Sequence, residues 1–122
     1  MKILICGGRD FKDKSKIYSD LDFYYNLCYE NNESLSIISG MAKGADSLEW
    51  LYAKEHDLEL FEFPADWKHH NNAAGPIRNK KMLDEGKPDL VLAYPTEKSV
   101  GTRHMIKIAR QAGVKVIVYE GE

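Results

Sequence analysis

Cysteine, proline and long apolar runs are all scarce in this sequence. The two cysteines, Cys6 and Cys28, have neither metal-ligand spacing nor the density of a disulfide framework, so they read as reduced core thiols on buried elements. Four prolines in 122 residues leave long uninterrupted stretches for regular structure. No apolar run reaches the length of a membrane span, and the run in "MKILICGG" is too short for a signal peptide, so a cytoplasmic protein without a membrane partner is expected. Neither sign of charge dominates. The formal net charge of -2 gives no global positive field to recruit nucleic acid, although local basic groups can still hold one small anion.

What is there is ordinary for a globular protein: 43% apolar and 30% charged residues, with no internal repeat. The length suits one domain over residues 1–122. Residues 2–6, "KILIC", form an apolar β-rich run that stops at Gly7-Gly8. Residues 15–32 then show helical spacing through Ile17, Leu21, Tyr24, Tyr25 and Cys28. "LSIIS" is a second strand before Gly40, with a helix from about Ala45 to His56, capped by Asp46 or Ser47. "LELFEFP" is a third strand. A polar loop, "ADWKHHNNAAG", leads to a helix expected to start at Pro76, a favoured first position, and to end near Gly86. "DLVLAYP" is the fourth strand, Thr102 to Ala112 a helix closed by Gly113, and "VKVIVYE" the last strand.

Strands that alternate with helices and read as continuous apolar runs predict a parallel sheet covered on both faces. The expected fold is a three-layer α/β sandwich with five strands in order 3-2-1-4-5. Ligands in such sheets bind beyond the carboxyl ends of the strands, where the order reverses. Every unusual loop falls there.

"CGGRDF" puts Gly7, Gly8 and Arg9 at the end of the first strand, where an arginine can pair with phosphate or carboxylate, or with its neighbour Asp10. "SGMAKGAD", from Ser39 through Gly40, Met41, Ala42, Lys43 and Gly44 to Asp46, has glycines for close backbone approach and unpaired amides for an anion. It is neither a Walker A loop nor a dinucleotide fingerprint. "VGTRHM" places Gly101 and Thr102 at a helix N-terminus, where Thr102 is either an anion contact or a plain cap. Arg78 and Met82 are four apart and share a helix face. Asp66, Trp67 and the adjacent His69 and His70 lie in the polar loop. Adjacent histidines point apart, so a metal site is not expected there; the loop with Trp67, the two histidines and the two asparagines Asn71 and Asn72 is instead suited to close over a base or sugar by stacking and hydrogen bonds. No pair of carboxylates has a spacing that identifies acid and base.

The segments "ICGGRDF", "ISGMAKGADSLEWLYA", "AGPIRNKKML", "DLVLAYP" and "GTRHMIKIARQAGVKVIV" together resemble the SLOG superfamily, most closely its YspA-like, cpYpsA-related branch. The resemblance implies a Rossmann-like fold that binds a nucleotide or nucleotide-derived ligand, in pockets near a homodimer or higher oligomer interface. More distantly, the chain is similar to Lonely Guy phosphoribohydrolases and DNA-processing protein A. In the phosphoribohydrolases an Arg-Lys-x-x-Met stretch and a Gly-Thr-x-x-Glu stretch carry the chemistry. Arg78, Met82, Gly101 and Thr102 match, but Met105 stands at the glutamate position, and a thioether neither holds charge nor moves a proton.

The expected function is therefore ligand binding by a sensor or sequestering module, without a cofactor. The expected binding residues are those of the loops above, with Asn79 of the Gly-Pro-x-Arg-Asn segment and Pro95 at the end of the fourth strand. Two rivals stand beside it. One is an N-glycosidic hydrolase or transferase using Asp46 or Asp66; the other is a single-stranded DNA-binding relative of DNA-processing protein A.

Overall fold

The computed structural model describes residues 1–40 and 45–119, with backbone alone at Ala45 and Asp46. The chain runs β1 (Lys2–Gly7), α1 (Lys14–Glu30), β2 (Ser36–Ser39), α2 (Ala45–Glu55), β3 (Glu59–Glu62), a one-turn α3 (Trp67–His70), a 3₁₀ turn (Asn71–Ala73), α4 (Ala74–Asp84), β4 (Leu90–Tyr94), α5 (Val100–Gln111) and β5 (Lys115–Val118). The five strands form one sheet in the order β3-β2-β1-β4-β5, and every neighbouring pair is parallel. This is the α/β architecture and strand order that the pattern of apolar runs predicts.

Why β1 reads as an unbroken apolar run is plain from its two faces. Ile3 and Ile5 point into a core shared with Ile17 and Leu21 of α1 and Tyr52 of α2. Leu4 and Cys6 point the other way, against Met82 of α4 and Met105, Ile106 and Ala109 of α5. A strand buried on both sides has no position for a polar residue. On α5 the buried residues Thr102, Met105, Ile106 and Ala109 recur at the three- and four-residue steps of one helical face. β5, at the sheet margin, alternates exposed and half-buried residues. Both cysteines are buried and free, and burial pushes the Cys28 thiol up.

Four local expectations are corrected. The polar stretch after β3 is not irregular: Asp66 caps the one-turn α3, its carboxylate accepting from the His69 amide at 3.2 Å. Next, α4 begins at Ala74 rather than Pro76; Ala73 and Ala74 are good helix formers, and Pro76 still falls in the first turn, where no intrahelical N–H is required. Finally, α5 begins at Val100, so Ser99 and not Thr102 holds the N-cap position. Likewise Asp46 and Ser47 lie inside α2, which starts at Ala45. Of the aromatic cluster on α1, Tyr18, Tyr24 and Tyr25 pack against the core, whereas Phe23 and Tyr29 are exposed.

Candidate functional site

β1 ends between β2 and β4, and the chain leaves it through a tight turn in which the Gly8 amide donates to the Tyr94 carbonyl at 3.1 Å and the Phe11 amide to the Gly8 carbonyl at 3.0 Å. Gly8 is required by close approach: a Cβ placed there would stand 2.0 Å from Thr96 Oγ1 and 2.8 Å from Thr96 Cβ. The Thr96 hydroxyl in turn donates to Asp10 and is the main reason the Asp10 carboxyl lies below its usual range. The pairing of Arg9 with Asp10 allowed by the sequence thus gives way to a bond between two loops. Residues 95–99 form a stiff arm. The Thr96 amide donates to Ser99 Oγ and Ser99 Oγ donates to the Thr96 carbonyl, both at 2.8 Å, while Arg103 donates to the carbonyls of Thr96 and Glu97.

On the other side of Gly8, α4 brings up Arg78 and Asn79. Arg78 Nη1 donates to the Gly40 carbonyl and its Nε to Asn79 Oδ1 at 3.1 Å. Asn79 Nδ2 donates to the Gly101 carbonyl at 3.2 Å and lies 3.1 Å from His104 Nδ1. Gly40 leaves room for this clamp, because a Cβ there would meet Arg78 Nη1 at 2.6 Å. One chain of hydrogen bonds therefore ties the end of β2, the first turns of α4 and the start of α5.

Between these loops is a hollow of about 630 Å³, within the size range of small-molecule sites. Gly7, Gly8, Arg9, Trp67, Arg78, Asn79, Gly101 and Thr102 all line it, as the sequence suggests. Among the described residues its charged side chains are Arg9, Arg78 and Lys98 against Asp10, a balance that favours an anion. The open N-terminal turn of α5 adds backbone amides of the same preference. A Cβ at Gly101 would touch nothing within 4 Å, so the main chain there is open to an occupant. Trp67 is half exposed and its ring edge would lie 3.5 Å from a Cβ at Gly75, so it stands over the α4 side of the opening.

Four expected residues are placed elsewhere. Ser39 is fully buried at the end of β2, its carbonyl accepting from the Phe63 amide at 2.8 Å. Gly40 contributes through its carbonyl to Arg78 rather than as lining. Asp66 pairs with His69 at 2.8 Å on the exposed α3, and that hydrogen bond holds the Asp66 carboxyl below its usual range. Pro95 faces a second hollow, of about 800 Å³, beyond the arm. There Lys12, Arg103 and Arg110 are matched by Asp10, Asp13 and Glu97, so no charge preference results. Met41, Ala42, Lys43 and Gly44 lie outside the described residues, as does the side chain of Asp46.

The hollow also gathers residues that spacing does not reveal. Lys98, Ser99 and His104 line it, though none of them has a diagnostic spacing, and Asn72 of the polar loop joins them. Glu49 is a further surprise: it is fully buried in α2, which packs against β1 and β2. Its three- and four-residue spacing to Tyr52 and Ala53 was the available signal, since those two are buried as well. Met105, at the position where the resemblance expects a glutamate, is fully buried in the core beneath α5. Among the described residues no group of three or more histidine, cysteine or acidic side chains is arranged to hold a metal ion. Nor is any described helix long and apolar enough to cross a membrane.

The Gene 61 protein of Mycobacterium phage D29 is 34% identical over 121 residues, covering 95% of this chain and 94% of that protein. The pattern of the YspA, cpYpsA-related SLOG family matches residues 1–70, which contain the β1 turn, the end of β2 and Trp67. The chain therefore belongs to the YspA, cpYpsA-related SLOG family.

Proposed function

We propose that the protein binds a nucleotide or a nucleotide-derived phosphorylated or ribosylated ligand in the hollow beyond β1 and β4, as a sensor or sequestering module. The observation that carries this reading is convergence. Loops from β1 and β4, the start of α5 and the first turns of α4 enclose one space that holds, among the described residues, three cations and one carboxylate. Backbone amides and arginines suit phosphate oxygens, and Trp67 suits a base. Binding rather than hydrolysis is supported by Met105, whose thioether packs in the core where a phosphoribohydrolase-like glutamate would be needed.

The test is native mass spectrometry of the purified full chain, followed by thermal denaturation with nucleoside mono-, di- and triphosphates. The expected result is a nucleotide-sized adduct, or a melting temperature that rises with nucleotide concentration; a ligand at a hundred times its Kd stabilises by about 2.7 kcal/mol. Absence of both, across the whole panel at millimolar concentration, would refute the reading.

A further inference from the structure

Asn79 is only 4% exposed, and its amide is held from three sides. Arg78 Nε, at 3.1 Å from Oδ1, can only donate; the Gly101 carbonyl, at 3.2 Å from Nδ2, can only accept. These two partners fix which end of the amide is oxygen and which is nitrogen. Turning it over would set N–H against N–H at Arg78 and oxygen against oxygen at Gly101. With one hydrogen of the NH₂ group on the Gly101 carbonyl, the other is directed at His104 Nδ1, 3.1 Å away. Nδ1 therefore accepts, and a neutral imidazole that accepts at Nδ1 carries its proton on Nε2. His104 is half-buried and lines the hollow. With Nδ1 engaged, Nε2–H is what the ring has left to offer an occupant.

We infer that His104 is a specificity-determining residue of the hollow: a fixed N–H donor for an oxygen of the ligand, and not a proton-transfer group. To act as a general base at Nε2 the ring would have to move its proton to Nδ1, where it would confront the Asn79 N–H. Asn79 cannot turn away without giving up its bonds to Arg78 Nε and the Gly101 carbonyl, a loss at a residue only 4% exposed. The partner that fits is an acceptor oxygen of a phosphoryl, ribosyl or carbonyl group, beside the cations Arg9 and Lys98. The ligand half of this inference rests on the nucleotide-binding reading; the tautomer half stands on the hydrogen bonds alone.

The tautomer is read by long-range ¹H–¹⁵N correlation of the histidine rings in the labelled full chain at neutral pH, with His104→Gln assigning the signal among four histidines. The expected result is an unprotonated, pyridine-like Nδ1 and a protonated, pyrrole-like Nε2. Asn79→Asp keeps the shape but replaces the N–H by an acceptor, so Nδ1 should become protonated. A protonated or tautomer-averaged Nδ1 in the wild type, or a ring indifferent to Asn79→Asp, overturns the inference.

The ligand arm uses ADP, GDP, CDP and UDP in titration calorimetry. His104→Gln, which retains an N–H, should bind within about threefold of wild type, and His104→Leu about tenfold more weakly, or about 1.4 kcal/mol. If wild type and His104→Leu bind alike, the donor role falls while nucleotide binding stands. If wild type binds none of the panel, the ligand half falls whatever the tautomer, and the nucleotide-binding reading falls with it only if the mass spectrum and the thermal panel are blank as well.

Discussion

Gly8 is the position where a single methyl group should be felt most, and the structure says why. Its Cβ would stand 2.0 Å from Oγ1, 2.7 Å from Cγ2 and 2.8 Å from Cβ of Thr96, against an ordinary carbon contact of about 3.5–4.0 Å. Rotating χ1 of Thr96 exchanges its hydroxyl and methyl but leaves its Cβ in place, so the side chain alone cannot relieve the overlap. The arm from Pro95 to Ser99 has to move, and it is tied by the Thr96–Ser99 pair and by Arg103. Gly8→Ala should therefore cost about 1–3 kcal/mol, the usual penalty of overpacking. Thr96→Gly should cost about 1 kcal/mol, through the added freedom of the unfolded chain. Because it removes all three clashing atoms, the double variant should be no less stable than Thr96→Gly alone. The assay is urea unfolding of the four proteins of the cycle at one concentration, and the expected coupling is about 1–3 kcal/mol. Additivity within about 0.5 kcal/mol would show that the contact of Gly8 with Thr96 is not what forbids a side chain.

Arg78→Met removes the bonds to the Gly40 carbonyl and Asn79 Oδ1; at a half-buried site it should lower unfolding free energy by about 2 kcal/mol and abolish any nucleotide-dependent thermal shift. A shift of wild-type size in that variant counts against the clamp, and Gly40→Ala, whose Cβ meets Nη1 at 2.6 Å, should reproduce the loss of binding. The Asp66 carboxyl lies below its ordinary value of 3.8 chiefly through its bond with His69, so the support it gives α3 is complete above that value and lost as pH falls through the lower folded one. Trp67 fluorescence should report this transition, and Asp66→Asn should remove it; an unchanged acid titration in the variant contradicts the assignment. Burial first, then hydrogen bonds to Glu55, Asp22 and Asp20, raise the tyrosines Tyr18 (to about 12), Tyr52 and Tyr94. Their contribution to stability is complete below the ordinary value near 10.0 and lost as pH rises through the folded values. In a spectrophotometric titration these three should ionise with unfolding, a coupling that fails if tyrosinate forms while the far-ultraviolet circular dichroism stays native.

The sheet was legible because burial on both faces leaves a mark that one residue type after another repeats: Ile3, Leu4 and Ile5 in β1 and Leu90, Val91 and Leu92 in β4 are all buried. Helix α3 left no such mark, since four exposed polar or aromatic residues cannot show a period; its only signal was Asp66 three residues before His69. In the site, the glycine turns were visible as punctuation at strand ends, and Arg78 by its four-residue step to Met82 on one helix face. The amide of Asn79, by contrast, meets Gly101 and His104 across 22 and 25 residues, and no local pattern encodes a partner so distant. His104 was passed over for the same reason, a lone histidine having no spacing to read. Pro95 follows β4 and so reads as a ligand-side residue, yet the arm turns it toward the neighbouring hollow.

Met105 bears on redesign. Its side chain is sealed in the core against Ile106 and Ala109, so a carboxylate introduced there would have to ionise in oil or stay protonated. Grafting glycosidase chemistry onto this scaffold by one exchange at that site would thus trade a filled interior for a stranded acid. An engineer would have to repack the underside of α5 first, or recruit a carboxylate from the rim.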